Sequence, residues 1–271
     1  MWGVVPAAGR GSRIQPLAFS KELLPVGSRA EDGTARPCAV SEYLLERLIL
    51  GGADKICFVI APGKSDILEY FGDHYRHAQL AYVVQPKALG LCDAVFRAAT
   101  VVGNQEAVLV GLPDTIWFPR PALSALPDVD LSFLLFPVEH PEFFDAVVLD
   151  GALVKEIQVK KADAASNWIW GAFKMSSAGF RDLHLLWQQR QRRDEYFGTL
   201  VNSYLAAGGK AVGVKAGHAY VDVGTIDGYR QAITLLAGIS DGDDERRFNF
   251  PAASISEPAA ASAPTLERGL T

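Results

Sequence analysis

Residues 2–13 read Trp-Gly-Val-Val-Pro-Ala-Ala-Gly-Arg-Gly-Ser-Arg, and residues 21–25 read Lys-Glu-Leu-Leu-Pro. The paired valines predict a short buried strand, which leads straight into a loop with two glycines and three nearby cations, Arg10, Arg13 and Lys21. Glycine allows a tight loop to present its backbone N–H groups without Cβ atoms in the way. Clustered amide donors with fixed positive charge suit a polyphosphate. The glycines alone would equally fit an ordinary turn with solvated basic side chains.

The residues present exclude two common phosphate-binding loops. A Walker A loop ends in Gly-Lys-Ser or Gly-Lys-Thr, and no such ending follows here. A dinucleotide fingerprint needs a third glycine that opens a helix and an acidic residue about 20 positions further on. Pro16 follows instead, and it opposes a helix that starts inside the loop. Neither of these two common loops therefore matches the residues present.

Strand-like and helix-like segments alternate along the first half of the chain. Residues 40–50 have apolar side chains at helical spacing and end at a Gly-Gly pair, a typical helix stop. Short buried strands are predicted at 55–61, 80–84 and 107–112, and a short helix at 65–71. This rhythm is typical of a parallel sheet with crossover helices. The polar segment Ser28–Pro37 is predicted to be a surface loop.

The pattern changes after residue 130. Four predicted strands, joined by turns, indicate an insertion rich in antiparallel pairs; they cover 131–138, 146–149, 153–159 and 169–175. We expect a single domain over 1–238, with halves at 1–130 and 131–238. From residue 239 the composition turns to Asp and Gly and then to Pro, Ala and Ser, so 239–271 is predicted to be a flexible tail.

Two aspartates that are distant in sequence each follow a strand. Asp114 comes after the most apolar strand, and Asp222 lies between a short apolar strand and the last predicted helix. Mg²⁺ prefers one or two carboxylates together with phosphate oxygens, so Asp114 at the tip of its strand is a candidate magnesium ligand. Each aspartate could instead cap a neighbouring turn or helix, although Thr225 is better placed to cap the last helix.

A third loop follows the strand at 80–84. Ligands of open α/β sheets bind at the carboxyl ends of strands, so this loop is expected beside the glycine loop. Gln85 carries two donors and an acceptor, which match the imide edge of thymine or uracil. Gly90 would let such a base approach the backbone closely. A glutamine that only caps the loop is the structural alternative.

Together these motifs resemble the signature of sugar-phosphate nucleotidyltransferases, most closely the glucose-1-phosphate thymidylyl- and uridylyltransferases. The matches follow that family's order over roughly residues 1–238 and are Gly9–Arg13 with Pro16, Lys21–Pro25, Gln85–Asp93, Leu112–Asp114, Ser166–Trp168 and Tyr220–Thr225. The resemblance implies an α/β, Rossmann-like fold with a mixed, mostly parallel sheet flanked by helices. It also implies a nucleotide-binding first half and an antiparallel sugar-phosphate-binding insertion in the second.

The activity implied by the resemblance is the condensation of dTTP or UTP with a sugar-1-phosphate, expected to be glucose-1-phosphate. The products would be a nucleotide-sugar and pyrophosphate, with Mg²⁺ as cofactor. In this reading Arg13 and Lys21 are catalytic, and Asp114 and Asp222 hold the metal. The nucleotide-binding residues would be Ala8, Gly9, Gly11, Ser12, Gln85 and Gly90. The residues that bind the sugar phosphate would be Asp145, Lys160 and Gly171.

The chain departs from the family pattern at two positions. Val159 stands where the family usually has a glutamate that binds sugar hydroxyls, and Asp145 stands where it has a glycine. We expect that Asp145 takes over part of the hydroxyl recognition, or that the sugar is not glucose. Two alternatives stay open. One is a cytidylyltransferase for a non-sugar phosphate, and the other is a non-catalytic nucleotide-binding regulatory homologue.

The composition of the chain indicates its cellular location and the kinds of partner it lacks. The 271 residues carry a formal net charge of −5, whereas a nucleic-acid surface normally shows a basic excess. Three cysteines without paired or metal-type spacing are typical of a reducing compartment. No apolar run reaches the roughly 18 residues of a membrane span, and the N-terminus lacks a secretory pattern. We expect a cytoplasmic protein without nucleic-acid or membrane partners, and association into a homo-oligomer stays open.

Overall fold

The computed structural model describes residues 1–31, 33–103 and 106–237, so the predicted tail at 239–271 lies outside the described residues. The strands are β1 (Trp2–Ala7), β2 (Pro25–Glu31), β3 (Thr34–Ala39), β4 (Lys55–Ile60), β5 (His74–Tyr75), β6 (Ala78–Val84), β7 (Val108–Gly111), β8 (Thr115–Phe118), β9 (Leu131–Pro137), β10 (Asp145–Asp150), β11 (Leu153–Val159), β12 (Trp168–Met175), β13 (Val212–Val214) and β14 (Ala219–Asp222). The helices are α1 (Val40–Leu50), α2 (Ser65–Phe71), α3 (Gly90–Arg97), α4 (Ser177–Gln189), α5 (Phe197–Ala206) and α6 (Ile226–Ala237).

The largest sheet has ten strands in the order β10-β11-β13-β9-β12-β7-β1-β4-β6-β5. Strands β7, β1, β4 and β6 run parallel, and their side chains are apolar almost throughout because both faces are covered. Strand β12 joins β7 in antiparallel orientation, and β9 then pairs antiparallel with β12. The mixed α/β fold predicted from the sequence is confirmed, with the antiparallel part built by the segment after residue 130.

Apolar side chains fill a core on each face of this sheet. Helices α3, α4 and α5 cover one face with Phe96, Leu183 and Leu200, while α1 and α2 cover the other with Leu44 and Ile67. These five side chains are 3% exposed or less. Within the described ranges no helix is long and apolar enough to span a membrane.

The surface loop predicted over Ser28–Pro37 is wrong, because β2 and β3 form an antiparallel hairpin there. The composition of this segment is polar, but two of its arginines are anchored to helix α1. Arg36 forms a bidentate pair with Glu42, and Arg29 lies 2.9 Å from Glu46. Tertiary ion pairs therefore stabilise a hairpin that local hydrophobicity does not predict.

The parallel register places the candidate loops at one edge of the sheet. Ala7 at the end of β1 lies opposite Ile60 at the end of β4, which lies opposite Val84 at the end of β6. The loops that follow these strands and β7 therefore start side by side. Carboxyl-terminal edges of this kind are the usual ligand sites of open α/β sheets.

Candidate active site

The glycine loop presents free backbone donors. Among the described residues, none accepts a hydrogen bond from the N–H groups of residues 9–13, whereas the next two N–H groups close a turn on the Gly11 carbonyl. Gly11 has a φ of 65°, and a Cβ there would lie 2.8 Å from Cδ of Lys21. Glycine is thus needed both for the backbone conformation and for the close approach of the lysine stem. Ala8, which precedes the loop, is buried, while Ser12 is exposed.

Lys21 reaches across the cleft to the predicted metal ligand Asp114. Its Nζ lies 2.5 Å from Oδ2 of Asp114, and both side chains are 13% exposed. Burial by itself lowers the pKa of the Lys21 ammonium, but the facing carboxylate outweighs it and the net pKa is raised. For Asp114, burial raises the pKa, and the Lys21 charge reverses this to give a lowered value. Both groups are therefore charged at neutral pH.

Asp222 is brought to the same place by a small separate sheet. Strand β14 pairs antiparallel with β8, so that Asp222 lies opposite Thr115, and the Val223 N–H donates to the Asp114 carbonyl at 2.8 Å. Oδ2 of Asp222 lies 3.0 Å from Nη2 of Arg13 in the glycine loop. A second cation–carboxylate pair thus stands beside the first.

Gly224 marks the point where these side chains converge. A Cβ on this glycine would lie 2.8 Å from Oδ1 of Asp222, 3.1 Å from Oδ2 of Asp114 and 3.3 Å from Nη2 of Arg13. Oδ1 of Asp222 and Oδ2 of Asp114 are therefore no more than 5.9 Å apart, the sum of 2.8 and 3.1 Å. The Gly224 N–H also donates to Oδ1 of Asp222 at 2.8 Å, which fixes that carboxylate. The sequence motif contained this glycine, but its role is visible only in the structure.

Beneath the glycine loop lies a buried ion pair that sequence reasoning missed. Lys64 donates to both carboxylate oxygens of Glu22 at 2.8 Å and to the Ala7 carbonyl at 2.7 Å. The Glu22 side chain is fully buried, and burial raises its pKa despite the opposing effect of Lys64. The pair ties the end of β1 to the segment that carries Lys21. The one available signal was a lysine directly after the Pro-Gly turn that closes β4.

Gln85 lies in the predicted place, but part of its side chain is already used. Its Nε2 donates to Oδ2 of Asp93 at 2.8 Å and to the Gly90 carbonyl at 3.2 Å, and Arg97 holds the same Asp93 oxygen. Both amide hydrogens are thus committed. No described residue donates to Oε1 of Gln85, so one acceptor is left for a base N–H.

Gly90 opens α3 with a φ of 87°. The space where its Cβ would stand is taken by the backbone of Glu195, whose carbonyl oxygen would be only 2.5 Å away. The same carbonyl accepts a hydrogen bond from the Leu91 N–H at 2.7 Å. The close approach that glycine allows here is therefore made by the chain itself.

Asp145 and Lys160 lie at the adjoining ends of β10 and β11, where Asp145 is opposite Val159. The Lys160 ammonium stands over the Tyr196 ring, 4.9 Å from its centroid. Burial raises the pKa of Asp145 to about 6, although the Trp170 indole and the Lys160 charge oppose the shift. The two predicted sugar-phosphate residues therefore lie close together in the second half of the chain.

Gly171, the remaining predicted sugar-phosphate residue, lies at an irregularity in β12. A Cβ there would meet the rings of Phe136 and Tyr220 at 2.6 and 2.7 Å. Tyr220 in turn packs edge-on against Phe144, next to Asp145. Tyr220 therefore lies between Asp222, two residues further along β14, and the Phe144 ring beside Asp145.

The donors available for a metal are the two cleft carboxylates. In the described part of the chain, no group of three or more His, Cys, Asp or Glu side chains could hold an ion. Asp114 and Asp222 would supply carboxylate oxygens, and the set would be completed by phosphate oxygens and water. This chemistry fits Mg²⁺, which rarely has an all-protein cage.

The sequence matches the protein-family model described as nucleotidyl transferase over residues 2–238. This match spans the glycine loop, both ion-paired aspartates and the antiparallel insertion. The chain belongs to the nucleotidyl transferase family. The resemblance to sugar-phosphate nucleotidyltransferases predicted from its motifs is thereby confirmed.

Relatives of this nucleotidyl transferase include two enzymes named for glucose-1-phosphate. The UTP–glucose-1-phosphate uridylyltransferase AglF of Haloferax volcanii is 27% identical over 207 residues, which cover 72% of this chain and 79% of AglF. The glucose-1-phosphate thymidylyltransferase of Mycolicibacterium smegmatis is 27% identical over 263 residues, or 90% and 87% of the two chains. The chain spans about half the length of several other curated relatives. In three of them the matched region covers 41%, 51% and 47% of the relative's own length.

The fold of this nucleotidyl transferase is also found among solved structures. The UTP-bound UGPase of Acinetobacter baumannii superimposes with a TM-score of 0.70 at 20% identity, over 86% of this chain and 92% of that one. Such a likeness shows a shared fold.

Proposed function

We propose that this nucleotidyl transferase moves a nucleotidyl group from dTTP or UTP to a sugar-1-phosphate, with glucose-1-phosphate as the expected acceptor. The observation that carries the proposal is the convergence of two cation–carboxylate pairs beside a loop with free amide donors. The names of the uridylyl- and thymidylyltransferase relatives supply the nucleotide and sugar classes.

The glycine loop, Arg13 and Lys21 would hold the triphosphate. The amides of residues 9–13 and the exposed guanidinium of Arg13 suit the β- and γ-phosphates, which become the leaving pyrophosphate. Lys21 stands deeper in the cleft and would neutralise charge at the α-phosphate. Arg13 and Lys21 exchange their carboxylate partners for phosphate oxygens when the nucleotide binds.

Asp114 and Asp222 are the residues that would hold Mg²⁺. The bound ion would supply charge neutralisation at the phosphates and a template for their orientation. The ion pairs of Asp114 with Lys21 and of Asp222 with Arg13 hold both carboxylates in place before the nucleotide binds.

The chemical step needs little from the protein besides position and charge. An oxygen of the sugar phosphate attacks the α-phosphorus, and a new P–O bond forms. The bond from that phosphorus to the bridging oxygen breaks, and pyrophosphate leaves with the electron pair. A phosphate monoester has a second pKa of about 6 and is mostly dianionic at pH 7, so no general base is required. Lys160 would hold this incoming monoester.

The test is a matrix of nucleotides against phosphorylated acceptors, read out as pyrophosphate release with and without Mg²⁺. We expect release with dTTP or UTP and a sugar-1-phosphate. Release only with CTP and an alditol or choline phosphate would select the cytidylyltransferase alternative. Absence of release with every pair would indicate a non-catalytic homologue and would overturn the proposal.

Two variants test the assigned residues within that assay. We expect Asp114→Asn and Lys21→Ala each to lower turnover by about 10²-fold or more, a typical loss for one preorganised charge contact. Lys174 and Asp128 provide a matched control, because they form another lysine–aspartate pair with an N–O distance of 2.5 Å. Lys174 lies opposite Leu109, away from the carboxyl end of β7. A loss below about threefold in Asp114→Asn, or an equal loss in Asp128→Asn, would contradict the assignment.

A further inference from the structure

The side chain of Lys160 lies against an aromatic ring. Its Nζ stands 4.9 Å from the centroid of the Tyr196 ring. No carboxylate of the described residues lies within 4.0 Å of that Nζ, whereas the next residue, Lys161, pairs with Asp163 at 3.8 Å. The ring face attracts the ammonium through its quadrupole, and it takes up none of the three N–H donors as an anion would.

The backbone also fixes where Lys160 stands. Its φ of 46° is in the left-handed region, which a residue other than glycine rarely adopts, and its N–H donates to the Phe144 carbonyl at 3.0 Å. Such conformations cost free energy and are held in place by the surrounding structure. The lysine that would bind the acceptor phosphate therefore leaves β11 in one defined direction.

Tyr196 is anchored on both sides, although the residue itself is 41% exposed. Two residues earlier, the buried Asp194 forms a bidentate ion pair with Arg190 at 2.8 and 3.0 Å. The following residue, Phe197, is fully buried and stacks on Phe173 with 4.2 Å between the ring centroids. An exposed ring between two anchored side chains keeps a defined position beside the ammonium.

The segment that carries Tyr196 also interlocks with the loop predicted to receive the base. The Glu195 carbonyl accepts a hydrogen bond from the Leu91 N–H at 2.7 Å, and the Glu195 backbone fills the space where a Cβ of Gly90 would stand. The Gly90 carbonyl in turn accepts a hydrogen bond from Gln85 at 3.2 Å. Glu195, directly before Tyr196 in the chain, therefore joins the base loop to the ring beside the acceptor lysine.

We propose that Tyr196 is a positioning residue for nucleotidyl transfer, which holds the Lys160 ammonium in place for the acceptor phosphate and at a fixed distance from the base loop. The inference rests on the proposed function, since it takes Lys160 as the ligand of that phosphate. In-line attack requires both substrates to be held in one geometry, and the shared segment supplies it.

The aromatic partner suits this task better than a carboxylate would. Arg13 and Lys21 must each give up a carboxylate partner to bind phosphate oxygens. A neutral ring orients Lys160 without such a competitor, so its full charge is available to the incoming monoester.

The first experiment measures KM for the best sugar-1-phosphate and for the nucleotide, with thermal unfolding in parallel. We expect Tyr196→Leu to raise the acceptor KM by about threefold, the size of an exposed cation–π contact, and to leave the nucleotide KM within about twofold. Tyr196→Phe retains the ring face and should keep the wild-type acceptor KM. Because the side chain is exposed, both variants should fold.

A second pair of variants shows whether Tyr196 acts through Lys160. Lys160→Met should raise the acceptor KM by about tenfold, the loss of one charged hydrogen bond. Adding Tyr196→Leu to Lys160→Met should raise it no further, since the ring then has no ammonium to position. A further rise of about threefold in the double variant would mean that the ring contacts the acceptor itself, and it would overturn the positioning role.

Trp2 and Lys55 provide the matched control. The Lys55 Nζ lies 5.5 Å from the centroid of the Trp2 ring, at the amino ends of β1 and β4 and thus at the opposite edge of the sheet from the glycine loop. Trp2→Leu should leave the acceptor KM unchanged. An equal rise in Trp2→Leu and Tyr196→Leu would overturn the inference, because the loss of any lysine–ring contact would then have this effect.

The outcomes separate this inference from the proposed function. If the wild type turns over sugar phosphates, an unchanged acceptor KM in a folded Tyr196→Leu, or an equal rise in Tyr196→Phe, would overturn the positioning role alone. An unchanged acceptor KM in Lys160→Met would remove the acceptor lysine and this inference with it. A wild type that accepts no sugar phosphate would overturn both the inference and the proposed function.

Discussion

The substitution Gly224→Ala tests whether the two cleft carboxylates are where the reaction takes place. The backbone of Gly224 is not in the left-handed region, so alanine introduces no strain through φ. Its new Cβ would lie 2.8 Å from Oδ1 of Asp222 and 3.1 Å from Oδ2 of Asp114. Carbon–oxygen contacts are comfortable from about 3.3 Å, so the Asp222 carboxylate must retreat by roughly 0.5 Å.

A misplacement of 1 Å can lower the rate by about 10²-fold. If the activation free energy scales with the displacement, a shift of roughly 0.5 Å predicts a rate loss of about tenfold, or about 1.4 kcal/mol of transition-state stabilisation. The assay is initial-rate pyrophosphate release at saturating and subsaturating nucleotide, with thermal unfolding measured in parallel. We expect kcat/KM to fall by about tenfold while the free energy of unfolding changes by less than about 1 kcal/mol.

Gly103→Ala is the matched control, because a Cβ there meets no heavy atom of the described residues within 4 Å. Its activity should equal that of the wild type. Full activity in a folded Gly224→Ala would show that the position of these carboxylates does not limit the reaction, and the assignment of Asp114 and Asp222 would then fail.

Two further predictions concern stability and use unfolding curves as the measurement. Burial raises the pKa of Glu42, but hydrogen bonds led by Arg36 outweigh it and lower the value to about 2 from 4.5. Glu42→Gln should therefore lower the free energy of unfolding by about 3 kcal/mol at pH 7. The ionised Glu42 stabilises the folded state fully above its unfolded pKa of about 4.5, and this contribution is lost as the pH falls towards its folded pKa of about 2. The deficit of the variant should shrink over the same range. A deficit independent of pH would contradict the ion-pair explanation. Gly90→Ala should cost roughly 2 kcal/mol or more, since a Cβ meets Glu195 at 2.5 Å and φ is 87°; an unchanged midpoint would refute this packing.

The sequence predicted the bounds of helices and strands well where hydrophobic periodicity and turn residues lie within one short segment. The helix predicted at 40–50 has those bounds in the structure, and the strand predicted at 153–159 does too. Periodicity and flanking glycines suffice for such segments because propensity acts locally. The hairpin of β2 and β3 was missed because its stability depends on Glu42 and Glu46 of another element.

The candidate site divides in the same way. Its chemistry-bearing residues stood in recognisable motifs, yet the motifs did not reveal that Gln85 spends both amide hydrogens on Asp93 and Gly90. Nor did they indicate the Lys64 and Glu22 pair under the glycine loop. Partners of this kind depend on which loops the sheet register brings together.

By itself, the sequence determined the family, the alternation of strands and helices, and the types of charged and glycine residues available for chemistry. Only the tertiary structure decided which of their atoms meet. The pairing of β8 with β14 sets Asp222 beside Asp114, and the packing around Gly224 leaves both carboxylates within contact of one point. Contacts between residues so distant in the chain follow from sheet register and core packing, which no local pattern encodes.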